Sequence, residues 1–253
     1  MKVYVFQIKG QFAHWRKWFT TTSPLTYSFP PRTAVVGLIG AILGIDRMQD
    51  KVPKVFPINA TRVAIYPINP IRKDRLPENW RQSPMSMKGR QIDKNALSKF
   101  NEGFQANLEV IRDPCYRIIF WHKEPSLMDD LIERLKDKRW VYPPYLGILG
   151  FLANVEFEAE DEVEEQKADC IELHSVLPLS KSSTQQVDLS DSESFIREER
   201  VPLDILPGRR FKHLHLAYVQ PNASPLVVKA NELAYFHLKK LNSNIVFFES
   251  CAS

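Results

Sequence analysis

Two strand–helix–strand patterns follow one another in this chain, and that repetition constrains the fold more than any other feature of the sequence. Residues 1 to 9 read as a strand, with Val3 and Val5 on one face and Tyr4, Phe6 and Ile8 on the other. Both faces are apolar, so the strand belongs at the centre of a sheet. Thr33 is placed to cap a helix carrying Val36, Ile39 and Leu43 and ending at Gly44, because Pro30 and Pro31 exclude an earlier start. A second strand is expected near Thr61 to Ile68. A third is expected over Cys115 to His122, where Tyr116, Ile118 and Phe120 alternate with Arg117, Ile119 and Trp121. Ser126 then opens a helix whose Met128, Leu131, Ile132 and Leu135 share one face, and a last strand follows near Phe151 to Phe157.

This order predicts an α+β fold of the ferredoxin-like kind, which is also the scaffold of RNA-recognition domains. An insert of about forty residues, 70 to 112, separates the second strand from the third. Between residues 70 and 100 it holds eight Lys or Arg against three Asp or Glu, with Trp80, Met85 and Met87 among them. It reads as a protruding, basic, flexible arm, since a loop of this length inside a compact domain is either functional or disordered. The expected division is a palm over 1–158 carrying the insert, then a smaller β-rich region over 159–253. That region has candidate strands at Cys170 to Leu177 and Arg210 to Val219, joined by a polar linker at 180 to 194. Seven acids crowd into Glu156 to Glu165, and a solvated loop is the expected meaning.

Composition narrows the function classes. With 253 residues at 44% apolar, the chain has enough core to fold. Its longest uncharged apolar run, Val35 to Ile45, is short of the roughly 20 residues a spanning helix needs, and the start at Met1 has no signal-peptide pattern. Neither a membrane nor an exported protein is expected. Cysteines at 115, 170 and 251 show no Cys-x-x-Cys spacing, so neither a disulfide framework nor a structural zinc site is indicated, and a cytoplasmic setting fits. The net charge of +4 hides an asymmetry: residues 1–153 carry 24 Lys or Arg against 13 acids, and residues 154–253 carry 10 against 17. Such a chain either meets a polyanion with its first part or has two ordinary solvated surfaces.

The stretch from Gly10 to Gly44 is the most informative for chemistry. His14, Arg16 and Lys17 are interleaved with Phe12, Trp15, Trp18 and Phe19. Cations contact phosphates and aromatic faces stack unpaired bases, each stack contributing on the order of 1 to 3 kcal/mol, and single-stranded RNA asks for both. The same aromatics can instead pack the loop. The helix start near Arg32 adds a ready anion site. Gly37, Gly40 and Gly44 lack the G-x-G-x-x-G pattern and the G-K-[ST] ending, so the interior two are expected to permit close packing against a strand or a partner.

Several segments carry a family resemblance. Gly10-Gln-Phe-Ala-His-Trp-Arg, the run Thr-Thr-Ser-Pro-Leu-Thr-Tyr through Tyr27, and Pro-Pro-Arg-Thr leading into Gly37-Leu-Ile-Gly resemble the amino-terminal signature of a CRISPR-associated RAMP subunit. That subunit holds the 5′ handle of crRNA in type I Cascade, and the details look most like the type I-B branch. Weaker echoes occur at Asp113-Pro-Cys-Tyr116, Pro143-Pro-Tyr-Leu-Gly147 and Arg200-Val-Pro-Leu203. The resemblance implies a ferredoxin-like palm, an inserted thumb hairpin, and a place capping a filament of backbone subunits beside the large subunit, with target DNA nearby through the complex. It also implies that His14, Trp15, Arg16, Lys17, Thr22, Ser23, Tyr27, Arg32 and Thr33 meet the handle. Arg72, Lys73, Arg75, Arg81, Met85, Met87, Lys88 and Arg90 of the thumb would then wedge apart guide nucleotides.

One branch of that family cuts repeat RNA without metal, using a Tyr, Lys and His cluster. His122 and Lys123 supply suitable types, yet neighbours on a strand point to opposite faces and their order is reversed from the processing branch. The expectation is therefore a non-catalytic subunit without cofactor or metal. A repeat-processing endoribonuclease and a generic single-stranded RNA-binding domain of another ribonucleoprotein remain alternatives. His213 and His215 share a strand face without an evident third ligand and are assigned structural roles.

Overall fold

The computed structural model describes residues 1–20, 23–46, 51–81, 103–181, 187–206, 208 and 210–251. In chain order the first half carries β1 (Lys2–Lys9), β2 (Phe12–Ala13), α1 (Arg32–Leu43), α2 (Lys51–Val55), β3 (Thr61–Pro67), β4 (Arg72–Arg81), β5 (Gly103–Arg112), β6 (Cys115–His122) and α3 (Pro125–Asp137). The second half carries β7 (Asn154–Leu173), β8 (Leu177–Leu179), β9 (Val187–Asp188), β10 (Ile196–Glu199), β11 (Pro202–Leu206), β12 (Arg210–His213), β13 (Leu216–Val219), β14 (Leu226–Leu238) and β15 (Ser243–Ile245).

The main sheet runs β15-β14-β7-β1-β6-β3, and its pairings are antiparallel. Four of its strands, β7, β1, β6 and β3, with α1 and α3, make a β-α-β-β-α-β unit. As the alternation predicts, β1 is buried on both sides. Tyr4, Phe6 and Ile8 join the core under α1 and α3, while Val3 and Val5 join a second core with Ala64, Ile119, Leu238 and Phe247. The two helices start one or two residues before the sequence reading. Pro31, not Thr33, stands at the N-cap of α1 with no side-chain cap bond, and Glu124 precedes α3 with Pro125 in its first turn.

Gly44 ends α1 in the left-handed region at φ 76°, donating its N–H to Ala41 O. Of the interior glycines, Gly40 packs closely within the chain, where a Cβ would touch Val52, while Gly37 faces open space. Beside Gly37 an apolar cleft of about 650 Å³ lies between α1 and the 142–149 loop.

One expectation is overturned. The acidic stretch is no loop: it lies within β7, hydrogen-bonded to β1 on one side and β14 on the other. Its carboxylates meet Lys9 (Glu156, 2.7 Å), Arg117 (Glu158, 2.5 Å), Lys2 (Glu160, 2.6 Å) and Lys239 (Glu164, 2.6 Å). Asp161, buried, accepts the N–H groups of Lys240 and Leu241 at the turn between β14 and β15. β7 runs across the expected division at 158/159, and the second half of the chain covers the far face of the main sheet. The candidate strand at 170–177 is the end of β7 followed by β8, and that at 210–219 is β12 followed by β13.

The insert begins and ends as a hairpin, β4 paired with β5 over ten residues each. Short β2 extends that hairpin into a three-stranded sheet through Phe12↔Arg112 and Ala13↔Ile111. The front loop and the insert thus share one hydrogen-bonded surface.

Candidate nucleic-acid interface

The front loop folds back on itself: Lys17 N–H donates to Leu25 O (2.8 Å), Tyr27 N–H to Trp15 O (2.9 Å) and Trp15 N–H to Thr26 Oγ1 (2.9 Å). Trp15 and His14 are both buried, and the Trp15 ring meets Tyr116 edge-on at 5.3 Å. The His14 ring bonds through Nδ1 to Glu109 O at 2.7 Å. Burial holds His14 below the usual imidazole range, so the neutral ring donates there. The 143–147 loop closes over this pair, with His14 N–H on Leu146 O at 3.0 Å. Gly147, at φ +89°, lies so close that a Cβ would stand 1.8 Å from His14 O. His14 and Trp15 therefore anchor the loop from within, instead of facing a ligand.

Four more of the expected contact residues engage their polar groups within the chain itself. Lys17 pairs with the buried Glu198 at 2.5 Å, and Lys73 reaches the same carboxylate at 3.3 Å while donating to Thr26 O at 3.0 Å. Ser28 closes the set, its hydroxyl donating to Glu198 at 2.6 Å. Tyr27 donates its hydroxyl to Arg200 O at 2.8 Å, and burial pushes its pKa up to about 12. Arg32 is fully buried: it pairs with Glu249 and with Asp204 and donates to Phe56 O. The anion expected at the start of α1 is thus met by the chain's own carboxylates. A desolvated carboxylate requires a paired cation, and these cations satisfy that need.

What faces outward is a smaller set. Arg16, Trp18, Phe19 and Ser23 are exposed at the tip of the loop, where Arg16 donates to Thr20 O at 2.7 Å. Thr33 is half-buried in the first turn of α1. On the hairpin, Arg72, Lys73 and Arg75 are exposed, Lys73 with its ammonium held by Glu198 and Thr26 O. Arg72 stands opposite Arg112, which pairs with Asp74 at 3.5 Å, and Arg75 stands opposite Glu109. Alternation along β4 puts Arg72 on one face and Lys73 with Arg75 on the other. Arg81 closes β4 by pairing with Gly103, while Thr22, Met85, Met87, Lys88 and Arg90 lie outside the described residues.

The sequence reading missed Arg200 and Phe211 and gave His213 a purely structural role; Arg200 and His213 meet Trp18 from the second half of the chain, and Phe211 stands beside His213. The guanidinium of Arg200 lies 4.3 Å from the centre of the Trp18 ring. For Phe211 and His213 the signal in the sequence is the mixed cationic and aromatic run Arg209-Arg210-Phe211-Lys212-His213, and Arg200 lies outside it. As for cleavage chemistry, the ring of His122 is occupied on both sides: Nε2 bonds to Val55 O at 2.9 Å, and Nδ1 accepts the Glu124 N–H at 3.1 Å. Among the described residues no cluster of three His, Cys, Asp or Glu is placed to hold a metal ion.

A family model described as CRISPR-associated protein (Cas_Cas5) matches residues 3–102, a span that includes the front loop, α1 and the first arm of the hairpin. Among solved structures, a CRISPR protein from Archaeoglobus fulgidus is similar at 13% identity, covering 97% of this chain and 98% of that one, with a TM-score of 0.54. A chain of a CRISPR RNA-guided surveillance complex is similar at 12% identity, covering 90% of this chain and 91% of that one, with a TM-score of 0.50. At these identities the likeness is one of fold. No curated protein matches the chain.

Proposed function

We propose that this chain is an RNA-binding subunit of a CRISPR effector complex, one that holds the 5′ handle of the guide RNA in a type I, I-B-like assembly. The observation that carries the reading is the strand order β7-β1-β6-β3 with a basic hairpin inserted between β3 and β6 and joined to the front loop through β2. Numbered within the unit, that order is 4-1-3-2, the ferredoxin-like palm, and the insert is its thumb. Outward Arg16, Arg72 and Arg75 meet phosphates of the single strand, and the loop tip offers aromatic faces to its bases. The chain binds its RNA without cutting it, a reading favoured by the full engagement of the His122 ring within the fold. Its partners are the backbone subunit, whose filament it caps, and the large subunit.

Co-expression with the neighbouring CRISPR genes, purification through this chain and sequencing of the bound RNA test the reading. The expected outcome is copurification of other effector subunits and RNA that begins with a repeat-derived handle. Recovery of the chain alone, or with unrelated RNA, would contradict it.

A further inference from the structure

The second half of the chain contributes a mixed aromatic and cationic rim to the front loop. Trp18 and Phe19 are 51% and 54% exposed, and their rings meet at 5.8 Å. His213 of β12 lies 6.1 Å from Trp18, and Phe211, 45% exposed, lies 6.4 Å from His213. Four flat side chains from two distant parts of the sequence therefore run side by side at the surface. Isolated exposed aromatics need no explanation, but a contiguous row of them does.

Arg200 gives the row its charge, and its placement is costly. It sits in the left-handed region at φ 52°, uncommon for a residue with a side chain, and both of its peptide groups are held. Its N–H donates to His215 O at 3.1 Å and its carbonyl accepts the Tyr27 hydroxyl at 2.8 Å. This fixed backbone lays the guanidinium over Trp18. Behind it a groove of about 410 Å³ is lined by Lys181, Arg200, Lys212, His213 and His215. Burial first, then the charge of Arg200, hold His213 below the usual imidazole range, so near neutrality it adds a flat face to the row.

We propose that this rim is a base-stacking subsite: Trp18, Phe19, Phe211 and His213 take an unpaired nucleobase of a single-stranded RNA, and Arg200 with the groove behind it takes the adjoining phosphate. The inference rests on the RNA-binding reading above and extends it to residues of β12 and the β10–β11 turn. Cations alone would serve any polyanion, and aromatics alone would serve an apolar partner. Their alternation within stacking distance is what a single strand, with a π-face and a negative charge per nucleotide, is built to use.

The test uses the full chain and single-stranded RNA oligomers of the repeat sequence carrying 2-aminopurine at successive positions. Wild-type protein is expected to quench the probe strongly at one position. Trp18→Ala and Phe211→Ala should abolish that quenching and weaken binding roughly 5- to 150-fold with the salt dependence intact. Trp18→Phe should restore part of both. Arg200→Gly, which suits the backbone there, should instead lower the log–log salt slope by about 0.7. Near-ultraviolet circular dichroism identifies any variant that has lost its fold, and Trp18→Phe and Arg200→Gly then carry the test. Wild-type binding with unchanged quenching and affinity in the folded variants would overturn the subsite and leave the RNA-binding reading standing. Absence of RNA binding by the wild type would overturn both.

Discussion

Gly147 shows how a single residue holds the site in place. Its positive φ and its contact with the His14 carbonyl leave no room for a side chain. Gly147→Ala should therefore cost more than about 2 kcal/mol, read as a lower denaturant midpoint, because the strain and the overlap act together. Arg32 makes the complementary point. Its guanidinium is bound to a carboxylate 217 positions away, a partner that no local sequence pattern signals. Arg32→Ala should destabilise the fold by about 3–5 kcal/mol, the usual penalty for stranding a buried charge, and should leave the salt dependence of RNA binding unchanged. His14 adds a pH dependence. Its folded pKa is lowered, so the unfolded chain binds more protons below about 6.5, and stability falls as pH drops through that value. His14→Asn, which keeps a donor near the Nδ1 position, should flatten the fall in melting temperature between pH 7 and 5.5.

At the scale of elements, legibility followed periodicity. The strands β1, β3 and β6 and both long helices show clear apolar spacing, and all are present within a residue or two. The start of β7 matches the strand expected near Phe151 to Phe157, but its continuation escaped because its acids, lying on a sheet bordered by Lys2, Lys9, Arg117 and Lys239, look in one dimension like a solvated run. Charge that is locally unbalanced can be balanced across a ladder. The insert was recognised by its composition, yet its pairing with β2 depends on a two-residue strand too short to give a pattern. Because that hairpin adds few residues to the main core, deleting residues 74 to 108 with a short glycine bridge should leave cooperative thermal unfolding while weakening RNA binding. Loss of the cooperative transition would show instead that the hairpin is integral to the fold.

Taken as one molecule, the chain uses much of its charge asymmetry on itself. Lys2, Lys9, Lys17, Arg32, Lys73, Arg117 and Lys136 of the basic half all pair with acids of the second half. The asymmetry visible in the sequence is thus partly an internal adhesive between the halves, and the surface left for a polyanion is narrower than composition implied. Of the residues expected to touch RNA, Arg16, Ser23, Arg72, Lys73 and Arg75 are exposed among the described residues, as is an aromatic rim of which the sequence singled out Trp18 and Phe19 but not Phe211 or His213. A chain organised in this way should bind repeat RNA intact in EDTA, and gel analysis should show no cleavage products. Products that disappear when the RNA carries a 2′-deoxy sugar at the cut site would instead indicate catalysis.

If the outward cations, and not the buried ones, meet the phosphates of the guide strand, a salt titration of RNA affinity shows it directly. Comparing wild type, an Arg72→Ala/Arg75→Ala double variant and a folded Arg32 variant, the log–log slope should fall by about 1.4 in the double variant and stay unchanged in the other. An unchanged slope in the double variant, or a loss of slope confined to the Arg32 variant, would contradict the account.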